Sequence, residues 1–181
     1  MNKQNNFIIL LRAVNVSGKN SIKMEELRSA LTKEGFSDVR TYIQSGNILL
    51  HATAGAEEVK ERVHKVLIDR FELHVDVFVL NSKQVEQAIA GIPRKKDLAP
   101  NRLFIMILDQ SPQTGYIAAL QQVDHGQEWF HIQDRMVYFY LPEGAAKAKM
   151  SNNYFERKLK VVGTGRNLNT YRKLLALSTN S

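Results

Sequence analysis

The order in which hydrophobic periodicity changes along this chain is its strongest constraint on fold. An apolar run over residues 7–14 is followed by Met24, Leu27, Ala30 and Leu31 at helical spacing, closed by Gly35. Short apolar runs over 39–44 and 48–51 flank the turn residues Ser45, Gly46 and Asn47, a hairpin signal. Val59, Val63, Val66 and Leu67 then share one face of a helix over 56–71, and a further strand runs over 75–80. Strands alternate their side chains between two faces while helices repeat once per turn, so the order reads β-α-β-β-α-β, that of a ferredoxin-like sheet.

The second half follows the same plan in part. Asn81 or Ser82 caps a short helix reaching Ala90, and a loop over 91–100 carries Pro93, Pro100 and the basic run Arg94, Lys95, Lys96. A strand over 103–108, a helix over 113–123, a hairpin of 128–132 with 136–141, and a helix over 151–161 follow. A final helix, capped by Asn169 or Thr170 and turning Tyr171, Leu174 and Leu175 inward, takes the place of the last strand. The expectation is an α+β protein of two small subdomains. Residues 1–80 form a ferredoxin-like unit, and residues 81–181 a partial repeat, βαββα plus a C-terminal helix, with no repeat at the level of residues.

A chain of 181 residues holds one large domain or two small ones. The absence of cysteine removes disulfides and thiolate metal sites and fits a reducing compartment, so the sequence places the protein in the cytoplasm. The N-terminal apolar run is too short for a secretion signal, and no run is long enough to span a membrane. The formal charge is +7 and is uneven, for residues 141–181 hold eight basic residues against two acidic ones. Such a balance suits anionic ligands or polyanions.

Three polar, glycine-bearing segments stand out. The first joins strand to helix and offers Arg12, Asn15, Ser17, Gly18, Lys19 and Asn20. It sits where a phosphate loop would, but Ala13 replaces the first glycine and Asn20 the magnesium-binding hydroxyl, so nucleotide hydrolysis is not expected. The second is the hairpin, where Tyr42 and Gln44 share a strand face beside Ser45 and Asn47. The third places Arg166, Asn167, Asn169 and Thr170 after Gly163 and Gly165 at a helix start, where backbone N–H groups favour an anion. Against each stands the plainer reading that these side chains satisfy their own backbone. The five histidines show no metal-ligand spacing, so no metal and no cofactor is expected. No triad can be assembled, and Glu25 and Glu26 are the only carboxylates near the first loop. Arg135 to Tyr140 has the basic and aromatic character of an RNA-recognition strand without its glycines, and reads as a core hairpin.

The same three segments carry a family resemblance. Residues 11–20, 41–47 and 164–170 resemble a widespread, mainly bacterial family known as a domain of unknown function. Its members open with Leu-Arg-Gly-Ile-Asn-Val-Gly-Gly, continue with Thr-Tyr-Ile-Gln-Ser-Gly-Asn and close with Thr-Ala-Arg-Asn-Trp-Asn-Thr. Residues 141–144 match as well, and Ala148, Lys149 and Met150 stand where the family has Ser-Lys-Leu. The chain departs at Ala13, Ser17, Ala148, Gly165 and Leu168, the last replacing a tryptophan. The resemblance implies an α+β fold and a bacterial, cytoplasmic origin, and it implies no reaction.

Donor chemistry and resemblance therefore select the same segments, with Lys149 added. The expectation is that they converge on one cleft between the subdomains and hold a small phosphorylated or carboxylated ligand. Two other readings stay open: a nucleic-acid-binding module, from the basic second half, and a protein-interaction domain, from Trp129 and the aromatic hairpin.

Overall fold

A computed structural model describes residues 4–16, 18, 20–93 and 96–179. Ser17 and Lys19 of the first segment, and Arg94 and Lys95 of the predicted loop, lie outside the described residues. The chain divides into two compact units, Met1–Val85 with Leu174–Ser181, and Glu86–Lys173.

In the first unit β1 (Asn5–Leu11), α1 (Met24–Lys33), β2 (Ser37–Tyr42), β3 (Asn47–Ala52), α2 (Ala56–Phe71) and β4 (Val77–Leu80) form a four-stranded sheet of order β2-β3-β1-β4. Each neighbouring pair is antiparallel. Alternation puts Phe7, Ile9, Leu11, Ile48, Leu50 and Val77 into one core with Leu27 and Leu31 of α1 and Val59, Val63 and Leu67 of α2. The intervening Ile8, Leu10, Leu49 and Phe78 are buried as well, so the middles of β1 and β3 are apolar on both faces. That is why these strands read as unbroken apolar runs. Strand β1 stops at Leu11 rather than continuing to Val14, because Ala13 and Asn15 adopt left-handed φ angles of 52° and 55°. Helix α1 begins after Lys23, not at an Asn20 or Ser21 cap, for the Asn20 amide is bonded elsewhere. Helix α2 ends at Glu72 with φ 55°, in the αL conformation that halts a helix.

Helix α3 (Ser82–Ala90) leads into the second unit, which contains β5 (Leu103–Leu108), α4 (Thr114–Gln121), β6 (Trp129–Gln133), β7 (Met136–Tyr140), α5 (Asn152–Leu159), β8 (Gly163–Asn167) and the start of α6 (Leu168–Thr179). Its sheet runs β6-β7-β5-β8, again antiparallel throughout. Met106, Leu108, Val137 and Phe139 pack with Leu120 of α4 and with Phe155 and Leu159 of α5. The Phe139 ring lies 5.2 Å from that of Phe104 and 5.0 Å from that of Phe155.

The expectation of βαββα plus a helix is corrected here. Residues 163–167 form β8, paired with β5 from Phe104↔Asn167 to Leu108↔Gly163. The second unit therefore has the full β-α-β-β-α-β order, and both sheets follow one strand permutation. Details of the backbone repeat too. At the end of each central strand Leu11 N–H donates to Gly46 O (2.8 Å), and Leu108 N–H to Arg135 O (2.9 Å). The next residues donate to the run before the edge strand, Arg12 to Asp76 O (3.0 Å) and Asp109 to Val162 O (2.8 Å). The two halves share strand topology and these two pairs of backbone hydrogen bonds, though not sequence.

Candidate functional site

The first two glycine-bearing segments meet at one corner of the first unit, and Asn15 holds them together. Its amide donates to Ile22 O (2.9 Å) and Gln44 O (2.7 Å), while its Oδ1 accepts from Ile22 N (2.8 Å). Asn tolerates the left-handed backbone needed here better than a bulkier residue does. Asn20, with φ 50°, donates to Ala13 O at 3.0 Å. In the hairpin, buried Asn47 donates to Tyr42 O (3.1 Å) and Ser45 Oγ (3.0 Å). Gly46, with φ 72°, passes so close to Leu11 that a Cβ there would lie 2.8 Å from the Leu11 Cβ. The three asparagines are thus the framework of the corner.

Gln44 does not share a strand face with Tyr42, because β2 ends at Tyr42 and Ile43 turns to φ 50°. That turn leaves Gln44 exposed, while Tyr42 is half-buried. Arg12 places Nη1 3.5 Å from Asp76 Oδ2, an exposed pair. Gly18 has a φ of 74° with open space where a side chain would sit. Val16 and Ile43, on these two loops, are about half exposed, at 52% and 50%.

The third segment belongs to the second unit. Its cap is Asn167 rather than Asn169 or Thr170: Asn167 Oδ1 accepts from Thr170 N at 2.9 Å. Asn169 is exposed and Thr170 buried. Gly163 and Gly165 are required by space, since a Cβ on Gly163 would meet Met106 Cε at 2.6 Å and Ile107 O at 2.7 Å. One on Gly165 would run into Asn152 Oδ1.

Strand register sets Arg166 in a row with Ile105, Tyr138 and His131 across the sheet. Residues opposite one another on paired strands share a face, and this row lies on the face away from the Phe104–Phe139–Phe155 core. Arg166 Nη1 donates to Thr164 Oγ1 and Gly165 O, each at 2.9 Å. Burial lowers its pKa to about 10, and nearby Tyr171 opposes that shift. Tyr171 is buried, its hydroxyl has no hydrogen-bond partner, and burial raises its pKa while Arg166 pulls it down. A half-buried cation beside a buried phenol is the strongest electrostatic feature among the predicted residues. Lys149 takes part through its backbone: its N–H donates to Glu128 Oε1 (2.8 Å), and Met150 N–H donates to Oε2 (2.9 Å).

Two features escaped the sequence. In the sequence Tyr171 has only the signature of an inward-facing helix residue. The surroundings of His125 carry no local signal, because His125 bonds Tyr154 and Glu128 bonds Lys149 and Met150, residues far along the chain. Asp124 and Gly126 make a side-chain-to-backbone turn of 2.8 Å that composition alone could have suggested. Among the described residues no group of three or more His, Asp and Glu side chains could hold a metal ion, and no helix is long and apolar enough to cross a membrane.

Two antiparallel sheets of one permutation, each with its helices, make this an α+β protein of tandem halves. The chain belongs to the family described as protein of unknown function (DUF1697), whose model matches residues 4–138. It is similar in fold to a solved structure titled as that of conserved bacterial protein SP0830 from Streptococcus pneumoniae. Identity is 22%, the match covers 97% of this chain and 99% of that one, and the TM-score is 0.74. No curated protein matches the chain.

Proposed function

We propose that the protein binds a small carboxylated or phosphorylated ligand and that Arg166 is its principal contact. The supporting observation is the Arg166 guanidinium, withdrawn from solvent enough to lower its pKa to about 10, beside a buried Tyr171 hydroxyl with no hydrogen-bond partner. A charge held at a desolvation cost interacts strongly with an anion, and a guanidinium fork matches the paired oxygens of carboxylate or phosphate. Tyr171 stays protonated and supplies a neutral donor. In this reading Asn15, Asn20 and Asn47 shape the first unit and do not touch the ligand. The lack of cysteine supports a cytoplasmic setting.

The test is thermal unfolding with sodium phosphate, acetate or succinate at about 10 mM, against sodium chloride of equal ionic strength, because a ligand raises the midpoint only of the state it binds. At least one anion should stabilise the wild type, and Arg166→Gln should abolish that shift while leaving the anion-free midpoint measurable. A shift that survives in Arg166→Gln, or equal midpoints in every salt, removes the reading. A short single-stranded oligonucleotide belongs in the same series: binding to it alone favours a nucleic-acid module.

A further inference from the structure

We propose, resting on the anion reading above, that the Arg166 site takes flat, singly charged carboxylates in preference to phosphate esters, and that the Tyr171 hydroxyl is the donor that sets this preference. Both residues belong to the second unit.

Strand β8 passes into α6 without a loop, Asn167 ending one and Leu168 starting the other. Tyr171 therefore sits in the first turn of the helix, shortly after Arg166, and each side chain acts electrostatically on the other. Tyr171 is 1% exposed, and its hydroxyl has no hydrogen-bond partner among the described residues. A phenol buried in that way costs stability that a phenylalanine of nearly the same shape would not. What the hydroxyl lacks is an acceptor, and an oxygen of an anion held by Arg166 is one. Arg166 is half-buried where Tyr171 is fully buried, so a ligand meets the guanidinium first and the phenol with an oxygen turned inward.

The surroundings of the guanidinium are neutral. Arg166 Nη1 is held by Thr164 Oγ1 and Gly165 O, both uncharged acceptors at 2.9 Å. Thr164 is buried, as are Ile105 and Tyr138, which follow Arg166 in its row across the sheet. The Tyr138 hydroxyl is packed against Gly91, where a Cβ would collide with it. The start of α6 is capped from within, because Asn167 Oδ1 already accepts from Thr170 N. A carboxylate brings one negative charge to the guanidinium. A phosphate ester near pH 8 brings about two, and its surplus charge would stand among buried neutral groups at a large desolvation cost. A carboxylate is also planar, with one oxygen for the guanidinium and one for the phenol.

The experiment follows thermal unfolding of the full chain near pH 8 while sodium acetate or sodium methyl phosphate is raised to about 100 mM, against sodium chloride of equal ionic strength. Acetate is expected to raise the midpoint, with half of its effect reached at a concentration at least about tenfold lower than methyl phosphate needs. Tyr171→Phe should keep or raise the anion-free midpoint, since the folded chain loses no hydrogen bond, while its acetate response weakens about tenfold. A merely structural hydroxyl would give the reverse pattern. Methyl phosphate acting as strongly as acetate, or an acetate response unchanged in Tyr171→Phe, overturns the proposal. If that same response is lost in Arg166→Gln, the anion reading itself stands without it. No response to either anion removes both.

Discussion

Among single residues, Asn15 carries the most structure per atom. Its amide joins the first loop to the hairpin through Gln44 O and closes the loop through Ile22. Asn15→Ala removes three hydrogen bonds and puts alanine at φ 55°, so it should lower stability by about 2–4 kcal/mol, read as a drop in urea midpoint without a change in slope. Asn15→Asp keeps the Ile22 N–H acceptor but loses both donors and should fall between the two. Arg166 makes a prediction in pH. Its folded pKa of about 10 lies below that of an ordinary guanidinium, so the unfolded chain holds this proton more tightly. Burying the charged form costs stability at all pH values below about 10, and the cost is relieved as pH rises above that toward the ordinary guanidinium range. Binding of a fixed-charge anion such as sulfate should therefore stay level between about pH 6 and 9 as far as this group is concerned, and fall above 10. Calorimetric titration across that range checks it.

Among elements, β8 teaches the most. Four residues of Gly163-Thr164-Gly165-Arg166-Asn167 are glycine or uncharged polar, the fifth is arginine, and so no hydrophobic period reveals a strand. The pairing with β5 comes from backbone bonds, and the glycines are there because Met106 Cε, Ile107 O and Asn152 leave no space for a Cβ. Gly163→Ala should break that pairing, costing about 1–3 kcal/mol and stripping hydrogen-exchange protection from β8 and β5 before the first unit is affected. Elements with clean apolar patterns were legible: α2 over residues 56–71 lies where its valines put it, and β5 matches the run of 103–108. Turns whose partners are distant were not. The Asn15 partner Gln44 is 29 residues away, as is the Tyr154 partner of His125, and local chemistry carries no sign of either. Donor richness could not distinguish an amide spent on a carbonyl from one open to a ligand.

At the scale of the whole molecule, charge and chain path each make a prediction. A single half-buried arginine should give anion binding that weakens only a few-fold between about 50 and 200 mM salt, whereas a polyanion bound through many phosphates would lose about a thousandfold or more. Measuring affinity across that range separates the small-ligand reading from a nucleic-acid one. The chain path matters because the first unit is discontinuous, taking Leu174–Ser181 from the far end of the sequence. Leu174 is buried there, Asn6 Nδ2 donates to Ser178 O, and Ser82 Oγ donates to Ser178 Oγ at 3.1 Å. Deleting residues 174–181 should therefore lower the unfolding temperature of the N-terminal unit, visible as lost exchange protection in β1 and α3. On the ribosome the same arrangement sets an order of events. The half that is translated first lacks its closing helical turns until the whole of the second half has been made, and so it matures after the half that follows it.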